Sequence, residues 1–384
     1  MNGRSALIVA AWLACLASLG AGCGPAKQVQ PALVFHPPPP DPPRLQYLAT
    51  INDAAEWQPR QRGSFADFIA GPPKNLENPG EIRNPFGIAA RDGKIYVTDL
   101  GRFRIHIIDV ARKTYSTLGT GDQVVRPAGI TIDADGTKYV ADSGKKQVTV
   151  FGPDDRYLRT LGDPEKCAPI AVGVSGDELF VADALGGKVQ VWTRDGTLKR
   201  IISSKGIGPD QLMGPSGLAI GPQGHVFVTD MELSIVKEFD PGGRYIRSIG
   251  GPGDRPGYFA RPKGIAIDPE GRIYIADAQW DKIQIFSPEG QLLLCFGEST
   301  RQPHGMVTPT GLAIDATSLE AFRQYVSKDF EAEYLVLVAN EFGINKITVH
   351  AFGRARPRAA PAAAEASPPA LAGLRPPWPA RKPG

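Results

Sequence analysis

An all-β chain folded as a six-bladed β-propeller is what the sequence predicts, on three observations. A unit of 42 to 47 residues recurs six times between residues 85 and 353, its openings marked by Pro85, Pro127, Pro169, Pro215, Pro262 and Pro309. The units carry short runs rich in β-branched and aromatic residues, four to a complete unit, and Gly-containing pairs separate the first run from the second. One four-stranded sheet cannot cover both of its faces, so a repeat of this length implies neighbours packed around a ring.

The second unit shows the elements in order. Pro127-Ala128-Gly129 opens a first strand running through Ile132. Lys138 to Asp142, Gln147 to Phe151 and Tyr157 to Leu161 are the second, third and fourth. Asp135-Gly136, Gly176-Asp177, Gln223-Gly224 and Glu270-Gly271 sit where a tight hairpin needs the positive φ that Gly adopts without strain. Runs such as Ile273-Tyr274-Ile275-Ala276 and Ile283-Gln284-Ile285-Phe286 have strand composition. The third unit departs from Pro-x-Gly, reading Pro169-Ile170-Ala171. The sixth has Asn340 where the others carry Asp99, Asp142, Asp183, Asp230 and Asp277, and it inserts residues 316–333. In that insertion Leu319, Phe322, Val326 and Phe330 have helical spacing, which predicts a short amphipathic helix packed on one face of the ring. The sixth unit also lacks a fourth strand. Arg44 to Ile51 reads like Arg156 to Leu161 and Arg244 to Ile249, so residues 45–51 are expected to complete the last blade and remove the open edges.

Pro-x-Gly-Ile-Ala-Ile-Asp, Ile-Tyr-Ile-Ala-Asp and Lys-Ile-Gln-Ile-Phe, read from Pro262 to Phe286, resemble the NHL repeat, and the resemblance spans about residues 45–353. It implies an NHL-like propeller and leaves function open. NHL-like enzymes place their sites on the face where connections enter first strands and leave second strands. Lyases that cleave amidated-peptide precursors resemble this fold and bind zinc through histidines on separate blades. Here His106 and His350 fall in third strands, His225 in a hairpin turn of the opposite face and His36 in a spacer, which leaves His304 alone, so no metal site is expected. The senescence-marker-type lactonases imply a carboxylate and amide site. The Asp99, Asp142, Asp183, Asp230, Asp277 and Asn340 ring has the right residue types, but a group repeated in every blade is explained by hydrogen bonds to its own turn. No catalytic residue and no cofactor is assigned, and a metal-dependent lyase or lactonase acting at the central mouth is the rival reading.

The N-terminus points to export. Arg4 precedes an apolar run from Ala6 to Leu19, followed by Gly20-Ala21-Gly22-Cys23, the layout of a secretory signal over residues 1–22. The run is shorter than the roughly 20 residues a spanning helix needs. It resembles a bacterial lipoprotein signal, which implies cleavage before Cys23 and lipid on the Cys23 thiol. Gly20 departs from the aliphatic residue usual at that position, so an ordinary signal peptide or an uncleaved anchor is the alternative. Residues 23–44, with Pro37 to Pro40 and Pro42-Pro43, read as a polyproline tether reaching up to about 60 Å. Residues 354–384 are Pro and Ala rich with a net charge of +5 and are expected to build no core. The whole chain is +3 and the signal contributes +1, so residues 23–353 carry −3, which gives no case for nucleic-acid binding. Cys167 and Cys295 lie too far apart around the ring for a disulfide and are expected as free thiols. No Cys-x-x-Cys-His occurs for haem attachment.

The turns after the second strands carry Arg102, Phe103 and Arg104; Lys145 and Lys146; Leu185 and Lys188; Met231 and Leu233; Gln279 and Trp280; and Phe342 with Ile344. Large apolar groups among basic ones describe a protein-contact surface, with Phe103, Arg104, Met231, Trp280 and Phe342 as its binding residues. The expected protein is a monomeric, non-catalytic lipoprotein of the bacterial envelope, held at the outer membrane. Its propeller would bind envelope or secreted proteins as a scaffold or assembly factor, with complexes of multihaem cytochromes as one form of partner.

Overall fold

The computed structural model describes residues 33–57 and 80–356. Cys23, the signal, the first part of the tether and most of the basic tail lie outside the described residues. Six antiparallel sheets follow one another in chain order. Blade 1 comprises Pro85–Arg91, Lys94–Asp99, Arg104–Asp109 and Thr114–Leu118. Blades 2 to 5 begin at Pro127–Ile132, Pro169–Ser175, Pro215–Ile220 and Pro262–Ile267 and end at Tyr157–Leu161, Leu198–Ile202, Tyr245–Ile249 and Leu292–Phe296. Each opening proline starts a first strand, as the repeat predicts. Second strands such as Val226–Asp230 and Ile273–Asp277 are buried throughout, whereas fourth strands such as Tyr157–Leu161 are largely exposed. Interior strands read as continuous apolar runs because both of their faces are covered.

Pro-x-Gly has a physical reason at the axis. A Cβ on Gly87, Gly129, Gly217, Gly264 or Gly311 would stand closer than 3.0 Å to the carbonyl oxygen of Ala128, Ile170, Lys263, Thr310 or Phe86, respectively. Each of those carbonyls belongs to the residue after the opening proline of the next blade, so the glycines let first strands approach around the ring. Threonines hold the same contacts: Thr98 Oγ1 donates to the Ala128 carbonyl at 2.5 Å and Thr229 Oγ1 to the Lys263 carbonyl at 2.6 Å. In the deviant third unit Ala171 takes the glycine position, and Gly173 is the residue that lies tight against Leu218 of blade 4.

Blade 6 has five strands, ordered Pro309–Asp315, Phe330–Asn340, Ile347–Ala355, Leu45–Ile51 and Phe35–His36. The N-terminal strand closes the ring as expected, with Leu45 opposite Phe352 and Ile51 opposite Ile347. Leu45, Tyr47, Leu48 and Ile51 are buried there. Outside it Phe35 pairs with Gln46 and His36 with Leu45, so the segment read as a tether is docked on the sheet from Phe35 onward. Two residues followed by a proline run give no period by which a pattern could have found this strand. Similarly, the third strand extends two residues past 353.

The insertion differs from expectation in its helix type. Leu319–Tyr325 is a 3₁₀ helix, and Phe330 already begins the eleven-residue second strand. Leu319, Phe322 and Tyr325 are three apart, so they line up on one side of a 3₁₀ turn. Leu319, Phe322 and Phe330 are buried in one cluster with Leu48 and Ile51. Thr317 Oγ1 and Ser318 Oγ accept from the Asp92 and Gly93 N–H groups of blade 1, at 2.7 and 2.9 Å. Gln46 of the closing strand bonds the Tyr325 carbonyl and the Ser327 N–H. The insertion thus packs on one face of the ring, as predicted, and clasps blades 6 and 1. Cys167 and Cys295 are free, and burial pushes the Cys167 thiol up to about 12.

Candidate functional site

The recurrent aspartates are scaffold. Asp142 accepts from Val125 N at 2.7 Å, Arg126 N at 2.9 Å, and Gly144 and Lys145 N at 3.0 Å, which ties the chain entering the first strand to the turn leaving the second. Asp99, Asp230 and Asp277 repeat this, and Asp183 does so through Ala168 and Gly186. Burial opposes ionisation of Asp99, but bonds from His106 and the Arg83 and Asn84 N–H groups outweigh it and hold the carboxyl below its usual range. His106 is itself enclosed, 3.2 Å from Asp99 Oδ2 and 3.2 Å from the Tyr115 hydroxyl. Asn340 departs from the pattern. It is buried with neither amide atom partnered, and Thr308 N turns instead to Asp281 Oδ1 at 2.6 Å.

Between these anchors the mouth opens into a cavity of 520 Å³, lined in part by Phe86, Ile170, Ser216, Lys263, Met213 and Met231. The first four are the variable residues of Pro-x-Gly. Across the ring that position reads Phe86, Ala128, Ile170, Ser216, Lys263 and Thr310, an asymmetric set inside a repeated frame. Sequence reasoning missed this set, although its signal was the one residue that varies between two that recur. Lys263 Nζ lies 2.7 Å from Glu341 Oε2, with both side chains mostly buried. Lys205, Arg261 and Glu232 complete the polar part of the wall. Apolar walls beside a paired ammonium suit an apolar group with a polar end. Ser216 donates to the Pro262 carbonyl at 2.9 Å, with no histidine among the residues of this wall to activate it.

Around the cavity Phe103, Trp280 and Phe342 stand at turn tips of blades 1, 5 and 6, exposed by 58%, 42% and 51%. Val125, Leu185, Ile207 and Ile344 are exposed on the same face. The other two sequence-predicted binding residues sit elsewhere. Met231 is half-buried in the cavity wall, 3.3 Å from Arg261 Nε, and Arg104 begins the third strand of blade 1, bonded to Tyr115. Among the described residues the remaining exposed large apolar side chains lie on fourth strands or at Leu33, and none lies in the turns of the opposite face.

Three histidines that the sequence placed on separate elements come together. Rings of His36, His304 and His350 gather about Tyr47 and Phe296 at the junction of blades 5 and 6. Even so, among the described residues no group of three or more His, Cys, Asp or Glu side chains is placed to hold a metal ion.

A family model described as a 6-bladed beta-propeller matches residues 220–297. No curated protein matches the chain. Among solved structures, a protein of unknown function from Bacteroides thetaiotaomicron superposes with a TM-score of 0.58 at 17% identity, covering 79% of this chain and 75% of its own. A gluconolactonase from Xanthomonas campestris does so with 0.54 at 14% identity, covering 83% and 97%. A chain of the nidogen/laminin complex gives 0.51 at 17% identity, covering 70% and 97%. Identities this low carry the fold alone, and fold does not imply function. Repeat register, sheet order and the family match agree: the chain is a six-bladed β-propeller.

Proposed function

We propose that the chain is a non-catalytic lipoprotein of the bacterial envelope, whose propeller mouth binds another envelope or secreted protein as a scaffold or assembly factor. A complex containing multihaem cytochromes is one form of that partner. The observation that carries the reading is the distribution of exposed apolar groups: Phe103, Val125, Leu185, Ile207, Trp280, Phe342 and Ile344 share the face that holds the cavity. Aromatic anchors near basic residues are the residue types that dominate interface energetics, with individual truncations costing about 2 kcal/mol or more. A chain of the nidogen/laminin complex and a gluconolactonase have the same fold, so the choice rests on this surface.

Trp280→Ala and Phe103→Ala are each expected to weaken recovery of the partner from membrane extracts about 30-fold, the equivalent of roughly 2 kcal/mol, at an unchanged melting temperature. Unchanged recovery by both variants, with stoichiometric metal in protein purified without chelator, would instead establish the lyase or lactonase reading.

The anchor is tested separately. Cys23→Ala is expected to move the protein from the membrane to the soluble envelope fraction, and mass spectrometry of the wild-type N-terminal peptide to find lipid on Cys23. A variant that stays membrane-bound, beside an unmodified wild-type cysteine, refutes lipidation.

A further inference from the structure

At the seam where the N-terminal strand closes the ring, blade 6 departs from blades 2 and 4 in one ring of its third strand. In blades 2 and 4 a buried Phe of the third strand packs edge-on against a Tyr of the fourth: Phe151 on Tyr157 and Phe239 on Tyr245, each with ring centroids 6.1 Å apart. The Tyr hydroxyls lie 3.0 and 2.9 Å from Thr160 and Ser248. Blade 6 repeats the arrangement with Tyr47 and Thr50 at 2.8 Å, but the partner ring, at 5.7 Å, is His350. His350 is 1% exposed, and neither ring nitrogen has a hydrogen-bond partner. A histidine has replaced the phenylalanine at the one junction made by the chain terminus.

Two more histidines meet it there. His36, on the two-residue outer strand, lies 5.8 Å from the Phe296 ring in a tilted contact, and Phe296 also meets His350 at 5.1 Å. His304, from the connection between blades 5 and 6, stands 6.0 Å from Tyr47. The counter-charge is small: Glu298, exposed and 2.9 Å from His304 Nε2. Two residues along the strand, Arg44 and Arg272 lie over the Phe352 ring at 4.9 and 4.5 Å, and Asp268 is already paired with Arg272 at 2.5 Å. Positive charge arriving at the seam therefore meets imidazoles, aromatic rings and guanidinium groups, and one exposed carboxylate.

We propose that this seam is an acid-sensitive latch: protonation of the buried His350, beside His36 and His304, undocks residues 35–51 from blade 6 before the other blades open. Burial, with His36 and His304 adding to it, lowers His350 from 6.5 to about 3, and burial likewise lowers His36. The sign follows from linkage. Between about pH 6.5 and 3 the open seam binds a proton on His350 that the closed seam does not, so closure is fully favoured above that window and weakens as pH falls through it, about tenfold per pH unit for one such histidine. Opening would expose the edge of the Ile347–Ala355 strand, a template for pairing with another chain.

The test is hydrogen exchange of the full-length protein, with protection factors corrected for intrinsic rates, between pH 7.5 and 5.0. Protection of residues 45–51 and 347–352 is expected to fall by tenfold or more below pH 6.5, while the second strands of blades 2 to 4 hold theirs. His350→Phe, which restores the ring found in blades 2 and 4, is expected to remove most of the seam's pH dependence. Should that variant fail to fold, His36→Gln carries the test and is expected to reduce the slope. Seam protection that tracks the other blades at every pH, or that keeps its slope in whichever variant folds, overturns the latch.

Discussion

Deleting residues 45–51 is expected to abolish the cooperative thermal transition of the ring. The strand contributes Leu45, Tyr47, Leu48 and Ile51 to the interior, with Leu48 and Ile51 in one of the clusters that flank blade 6 and Leu45 in the other. Truncating one buried Leu or Ile to Ala costs about 2–5 kcal/mol, and a whole domain is stable by only about 5–15 kcal/mol, so losing the strand exceeds what the remainder can supply. The deletion also uncovers Ile347–Ala355 as an open edge and removes the Gln46 bonds that seat the insertion. Circular dichroism and calorimetry on the purified deletion protein check this. A single transition within a few degrees of wild type would show that the closing strand is dispensable.

Gly311→Ala is expected to destabilise the protein by about 3 kcal/mol, at the upper end for overpacking, because the obstacle is backbone. The added methyl would stand inside 3.0 Å of the Phe86 carbonyl and close to Ile88 N, across the junction of blades 6 and 1. Neither neighbour can rotate away as a side chain would. Phe86 also lines the mouth cavity, so relief by moving its strand would distort the cavity as well. Gly264→Ala, against the Thr310 carbonyl, is expected to behave alike. Gly176→Asn is the control: the φ of 52° there is one that Asn tolerates, and nothing lies within 4 Å. Urea midpoints for the three variants decide it; equal midpoints would mean that first-strand spacing at the axis is not what Pro-x-Gly protects.

Legibility varied with the kind of feature. Blade openings, the Gly hairpins and the pairing of residues 45–51 with the last blade could be read because each repeats a local pattern seen elsewhere in the chain. The 3₁₀ form of Leu319–Tyr325 could not, since spacings of three and four both suit a helix until the packing against Leu48 and Ile51 selects one. The face on which the turns after the second strands lie was legible from the repeat, and the exposure of their side chains was not. Phe103 and Arg104 are adjacent, yet one is a turn tip at a φ of 52° and the other the first residue of a strand.

The sequence by itself determined strand content, blade number, the order of the blades and the identity of the closing strand, because period and composition are properties of neighbours along the chain. Tertiary structure alone decided which side chains of different blades meet. It brought Phe86, Ile170, Ser216 and Lys263 to one cavity, and it brought His36, His304 and His350 to one seam. Those meetings depend on the curvature that closes the ring and on the docking of a terminal segment too short to carry a period of its own.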